Sequence, residues 1–273
     1  MKNKSSTVAA IQMCSSDNVE KNLETACRLI SDVVKNNAHL IVLPEMFAMM
    51  GKKTIDKVNN AEEYGSGKIQ QFLSAQAKQH GVWIVGGTIP IFSVNKNKIK
   101  AACLVYNSSG EVAARYDKIH LFDAQISETE CYRESDTTDP GDKVVVIDTP
   151  VGKLGLAVCY DIRFSALFLQ LAKKGAEIIA IPAAFTVKTG EAHWQLLARA
   201  RAVENFCYVI GACQGGEHAS GRKTYGHSLI VDSWGTVLQE AGDSGNTIID
   251  ATIDLKKLHD IRASFGNINS SHQ

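Results

Sequence analysis

The chain has 273 residues, 45% hydrophobic and 21% charged, with 29 basic and 29 acidic side chains in balance. This suits one large α/β domain over residues 1–273, with a core at about 7–262 and a tail at 263–273, and the zero net charge argues against nucleic acid as a partner. The polar start lacks a signal core and no apolar run spans a membrane, while seven scattered cysteines with no CxxC pair suit reduced thiols in a cytoplasmic protein.

Val8 to Met13 reads as a first strand. Val19, Leu23, Ala26, Ile30 and Val33 then fall on one helical face, with Asp17 and Asn18 as capping candidates. Leu40 to Leu43 is the next strand, and Pro44-Glu45 ends it. This first βαβ unit delivers a carboxylate to a strand edge, although a single glutamate there is more often a solvated loop residue. Gly65-Ser66-Gly67 opens a further helix through Ile69, Phe72, Leu73 and Ala77, stopped at Gly81. Val82 to Thr88 is strand, and Ile99–Asn107 with Glu111–Tyr116 form a hairpin about Ser108-Ser109-Gly110. Asp123 to Gly141 is polar and without period, so it reads as a long structured loop.

Lys143–Ile147 forms a hairpin with the strand that ends at Cys159. Past that cysteine, Leu167, Phe168 and Leu171 recur at helical spacing until Gly175, and Glu177 to Ile181 is strand again. A helix at about 191–205 follows, then strands at 207–213, 225–232, 236–240 and 247–253, and a last helix from Asp254 to about Ala263. Two βαβ halves, one around Glu45 and one around Cys159, suggest a layered sandwich with helices covering both sheets.

Cys159 therefore sits at a strand-to-helix turn, the edge at which open α/β sheets bind ligands. A helix N-terminus would lower the pKa of its thiol, and the bland alternative is a packed core cysteine. A cysteine nucleophile needs a base, a positive group for the oxyanion and an acid for the leaving amine. Histidine is the usual base, and His120 and His193 lie nearest the candidate stretches. A carboxylate base with a balancing lysine is the other solution. No HExxH, GxGxxG or GxxxxGK[ST] pattern is present, so neither a metal nor a nucleotide is expected, and no cofactor.

Three pieces resemble the signatures of the nitrilase superfamily of carbon–nitrogen hydrolases, in that family's order. They are Leu43-Pro44-Glu45, Tyr116 to Asp123 around Lys118, and Gly155 to Phe164 around Cys159. The resemblance runs from about Thr7 to Arg262 and implies an α-β-β-α sandwich. It also implies Glu45 as general base, Lys118 as oxyanion stabiliser, Cys159 as nucleophile and Glu134 as the second glutamate. Pro182 to Phe185, Ala192-His193-Trp194 and Arg199 to Glu204 resemble the Nit branch, and Ala212 to His218 with Tyr225 to Ser228 is closer to its deaminated glutathione amidases than to its omega-amidases. By resemblance the substrate is a small carboxylate-bearing amide, with Arg163 on its α-carboxylate, Tyr160 giving a backbone N–H to the oxyanion, and His120, Phe185 and Thr189 lining the pocket. The substrate's second carboxylate would meet the Gly215–Lys223 loop through His218, Arg222 and Lys223. A homodimer through the helices at 161–174 and 191–205 is expected. An inactive scaffold is the contrasting reading, and the four catalytic-type residues argue against it. The tail after Arg262 departs from the branch, which usually continues with proline and a basic cluster.

Overall fold

A computed structural model describes residues 5–95, 97–128 and 130–265. The divergent tail past Phe265 lies outside the described residues.

In the first half, β1 (Ser5–Gln12), α1 (Val19–Val34), β2 (Ala38–Val42), a short α2 (Asp56–Asn59), α3 (Lys68–His80) and β3 (Trp83–Val85) lead to an antiparallel set of β4 (Ile89–Phe92), β5 (Ile99–Tyr106) and β6 (Val112–Asp117). Asn18 caps α1 by accepting from the Lys21 N–H, and Gly81 ends α3 in the left-handed region that glycine adopts without cost. After β6 come the small β7 (Asp123–Gln125) and β8 (Cys131–Arg133), which pair with each other where the sequence suggests only a loop.

The second half holds β9 (Val146–Thr149), β10 (Gly152–Leu156), α4 (Ser165–Lys173), β11 (Ile178–Ala183), α5 (Val187–Asn205) and β12 (Tyr208–Cys213). A second short hairpin, β13 (Gly215–Glu217) with β14 (Lys223–Tyr225), precedes β15 (Leu229–Val231), β16 (Val237–Glu240), β17 (Thr247–Asp254) and α6 (Leu255–Ser264). The residues at 225–232, expected as one strand, divide between β14 and β15, with Gly226 and His227 both at positive φ in between.

Two sheets result, in the orders β17-β1-β2-β3-β5-β4, with β6 on β5, and β16-β15-β12-β11-β10-β9. Strands β1, β2 and β3 are parallel, as are β10, β11 and β12. Alternate residues of one strand serve different layers. Val8 and Ala10 pack with Leu154, Ile178 and Ile210 between the sheets, whereas Ala9 and Ile11 pack with Leu29, Ile30 and Leu73 of α1 and α3. On the other side, Leu167 and Phe168 of α4 and Trp194 and Ala198 of α5 join the core of the second sheet. The architecture is a four-layer α-β-β-α sandwich. Its strands are apolar on both faces, so the sequence shows continuous apolar runs and not alternation.

Candidate active site

The carboxyl ends of the parallel strands bring the candidate residues together. Glu45 follows β2, and Cys159 follows β10. Lys118 comes directly after β6, and its N–H donates to the Ala101 carbonyl of β5 at 3.1 Å. Each turn is held from outside. Gly87 has φ +55 and lies so close to Pro44 that a Cβ there would come within 2.0 Å of the Pro44 oxygen. The Gln214 side chain, from the other half of the chain, donates to the Glu45 carbonyl at 3.0 Å and to Ser15 Oγ at 2.8 Å.

Cys159 has φ 46, a left-handed conformation that costs a non-glycine residue roughly 1–2 kcal/mol. Buried Asp161 holds that bend. One of its carboxylate oxygens accepts from the Val158 N–H at 2.8 Å and the Tyr116 hydroxyl at 2.6 Å. The other accepts from the His120 N–H at 2.9 Å and lies 2.7 Å from His120 Nδ1. Asp161 thus ties the cysteine turn to the strand that carries Lys118. This role is not readable in the sequence, where Asp161 is one polar residue in a motif.

Lys118 is the centre of the charged cluster. Its ammonium donates to Glu45 Oε1 at 2.8 Å and to Glu134 Oε2 at 2.9 Å, with side-chain exposures of 2%, 5% and 15% for Lys118, Glu45 and Glu134. Burial alone would lower the Lys118 pKa, but the Glu134 and Glu45 carboxylates outweigh it and hold the ammonium well above its usual range. Burial likewise acts to raise Glu134, and Lys118 and Lys57 overcome it, so this carboxyl lies below its ordinary value. The Phe122 N–H donates to the same Glu134 oxygen at 2.7 Å.

The Cys159 thiol lies beside the Glu45 carboxyl and the Ala184 backbone amide. Its pKa is raised, first by burial and then by the Glu45 carboxylate, against the lowering pull of Lys118 and Ala184. The lowered thiol pKa expected from a helix N-terminus is therefore corrected. A five-residue 3₁₀ turn, Cys159–Arg163, follows the strand, and α4 starts only at Ser165.

These residues form the floor of a cavity of about 890 Å³. Tyr160, Arg163, Phe185 and Thr189 line it as the sequence suggests. Arg163 is half-buried; its guanidinium lies 3.1 Å from His193 Nδ1 and makes no carboxylate ion pair among the described residues. Phe185 is buried, with its ring centroid 5.1 Å from that of Trp194. Thr189 Oγ1 bonds Thr186 Oγ1 at 2.9 Å in the first turn of α5. Among the described residues nine basic and four acidic side chains line this cavity, which makes it positive inside a chain that is neutral overall.

Two placements differ from expectation. His120 is not among the lining residues; it faces Asp161 and stacks on Phe164, with centroids 3.6 Å apart. With His193 turned to Arg163, both histidines considered as a base are occupied elsewhere. His218 is buried between the Ser15 carbonyl and Thr224 Oγ1, at 2.8 and 2.7 Å, and does not reach the cavity. Lys223 lines the cavity, where it is exposed and also faces Glu217 at 3.4 Å. Arg222 lines the cavity as well, and it donates to the Ala184 carbonyl at 2.7 Å and lies over the Tyr132 ring, so it also fastens β14 to the cysteine floor.

The model of the carbon-nitrogen hydrolase family matches residues 7–263. A deaminated glutathione amidase of Yersinia enterocolitica is 43% identical over 243 residues, 88% of this chain and 84% of that protein. An omega-amidase NIT2 of Xenopus tropicalis is 38% identical, over 93% of this chain and 91% of its own. The crystal structure of Saccharomyces cerevisiae Nit3, a member of branch 10 of the nitrilase superfamily, superposes with a TM-score of 0.89 at 33% identity, over 99% of this chain and 97% of that one. A family match over almost the whole length, on a sandwich shared with Nit3, places this chain among the carbon–nitrogen hydrolases.

Proposed function

We propose that the protein hydrolyses deaminated glutathione through a thioester on Cys159. The observation that carries this reading is the cavity itself. Cys159, Glu45 and Lys118 meet at its floor, the Arg163 cation, with no carboxylate partner among the described residues, is on its wall, and its volume of about 890 Å³ lies near the top of the roughly 300–1,000 Å³ range of drug-sized ligands. A short α-keto amide would leave much of that space to water.

Glu45 takes the thiol proton as Cys159 attacks the amide carbonyl. The tetrahedral oxyanion is met by the Lys118 ammonium and the Tyr160 N–H, which lies in the first turn of the 3₁₀ segment and has no partner within it. The intermediate collapses, the C–N bond breaks, and Glu45 returns the proton to the leaving amine. Glu45 then takes a proton from water, which attacks the thioester, releases the acid and restores the thiol. Glu134 fixes Lys118 in place. Arg163 holds the α-carboxylate, and Lys188 and Arg222 on the rim face the substrate's second carboxylate.

An omega-amidase acting on α-ketoglutaramate would use the same floor and the same Arg163, and relatives of that kind share 38% identity. Comparing kcat/KM for the two amides on one purified sample decides between them. Deaminated glutathione is expected to be the better substrate, and a higher value for α-ketoglutaramate overturns the assignment. Arg163→Ala is expected to lower kcat/KM by about 10- to 150-fold for both, the loss of a charge-assisted pair worth about 1.5–3 kcal/mol. An unchanged value would remove Arg163 from the substrate site.

The assembly we propose is a homodimer through the outer faces of α4 and α5. Leu169, Leu196 and Val203 are exposed there at 43%, 66% and 44%, a cluster of large apolar side chains on two neighbouring helices. Light scattering should give twice the chain mass, and a monomer at micromolar concentration rejects the dimer. Its compartment would be the cytoplasm, where seven free thiols stay reduced.

A further inference from the structure

We propose that Lys57 is a positioning residue of the catalytic cluster, the second cation that balances its two carboxylates and holds the turn that carries Glu134. The proposal rests on the reading of Glu45, Lys118 and Cys159 as the reacting group.

The geometry places Lys57 on α2, lining the same cavity as Glu45, Lys118, Glu134 and Cys159. Its ammonium donates to Thr138 Oγ1 at 2.9 Å, and the Thr138 N–H donates to the Glu134 carbonyl at 3.0 Å. Two hydrogen bonds thus link α2 to the segment carrying Glu134. Lys57 makes no ion pair within 4.0 Å among the described residues, so its charge acts on the cluster as a whole and not on one fixed partner.

The charges explain why a second cation is needed. Glu45 and Glu134 bring two negative charges to a closed site, and Lys118 brings one positive. One net negative charge out of water is costly, and it would oppose formation of a further negative oxyanion above Cys159. Lys57 is one of the cations that offset that imbalance, and the one hydrogen-bonded to Thr138, whose N–H donates to the Glu134 carbonyl.

The groups facing Lys57 are Glu134, Lys118, Glu45 and Arg222. On its own stretch, Asp56 accepts from the Lys53 N–H and Lys52 pairs with Asp17, so neither acid is turned to Lys57. Burial lowers the Lys57 pKa, with Lys118 and Arg222 adding to it and Glu134 and Glu45 opposing. Reciprocally, Lys57 is among the causes that keep the Glu134 carboxyl low.

The test uses Lys57→Met and Lys57→Arg in the full chain, with deaminated glutathione and α-ketoglutaramate as substrates and kcat followed across pH. Lys57→Met should lower kcat about tenfold for both amides, with KM little changed. The sign of the pH effect follows from charge. Without Lys57, Glu134 takes up its proton at a higher pH and releases Lys118 there, so the acid limb of the kcat profile should move up by about one unit. Lys57→Arg keeps the charge and should restore the acid limb to its wild-type position. Thr138→Val removes the anchor but leaves the charge, and should shift the limb less than Lys57→Met.

An increase in KM for deaminated glutathione alone, with kcat and the acid limb unchanged, would make Lys57 a reader of the second carboxylate and overturn the proposal. Wild-type behaviour of Lys57→Met overturns it as well. So does a loss of activity that Lys57→Arg fails to rescue and that tracks a fall in Tm without a shifted limb. Cys159→Ala measured beside these variants keeps the two readings apart, because turnover retained there removes the catalytic assignment itself.

Discussion

Cys159→Ala is expected to leave a folded protein that hydrolyses no amide, with kcat down by about 10⁴-fold or more. The thiol is the only group on the cavity floor that the mechanism gives to bond formation with the carbonyl. Lys118 and Glu45 can still bind and polarise an amide without it, which leaves at most a small residual rate. The fold should survive because Asp161 continues to hold the bend through Val158, Tyr116 and His120. Substrate turnover together with circular dichroism reads both parts. Turnover within tenfold of wild type would end the thioester mechanism.

Lys118→Met is expected to cost both activity and stability. Glu45 and Glu134 sit on either side of the buried ammonium at 2.8 and 2.9 Å, and without it they face each other with only the more distant Lys57 to offset them. Breaking a buried ion pair by removing one partner costs about 3–5 kcal/mol. Loss of the oxyanion group should lower kcat by about 10²–10³-fold. The pH dependence of stability should also reverse. In the wild type Glu134 lies below its ordinary pKa, so its stabilisation is present above the usual carboxylate range and fades as pH falls through the lowered value. In Lys118→Met that carboxyl rises above its unfolded value, so stability should grow as pH falls. Adding Glu134→Gln to Lys118→Met should recover stability and leave kcat low. Chemical denaturation at two pH values measures the first effect, and a Lys118→Met protein as stable as wild type at neutral pH would contradict the charge argument.

Much of the sandwich was legible in the order of its apolar runs. Leu40 to Leu43 and Glu177 to Ile181 read as strands because buried parallel strands carry apolar residues on both faces. The short pieces were not legible. The β7–β8 and β13–β14 hairpins have three-residue strands, too short to show a period, and their polar residues suit the rim of a cavity as well as a loop. Strand β4 carries Pro90, which weakens a strand signal, and it is accommodated in the last position of its sheet path.

Glu45, Lys118, Glu134 and Cys159 were readable only through motifs, since 73 positions separate Lys118 from Glu45 and spacing cannot bring them together. Lys57 had no signal at all. It is one of several lysines in a polar stretch, and what singles it out is the fold that turns α2 toward Thr138.

By itself, then, the sequence determined the layered α/β architecture, the family and the candidates for the reacting side chains, because periodicity and motif are local properties of the chain. Only the tertiary structure decided the direction of the pKa shifts and the neighbours. The raised pKa of Cys159 comes from burial and from Glu45, two properties with no representation in residues 155–164. His120 looks like a pocket residue until Asp161 and Phe164 are placed beside it. Charge balance, solvent exclusion and contact are sums over residues distant in the chain, and folding is the step that performs them.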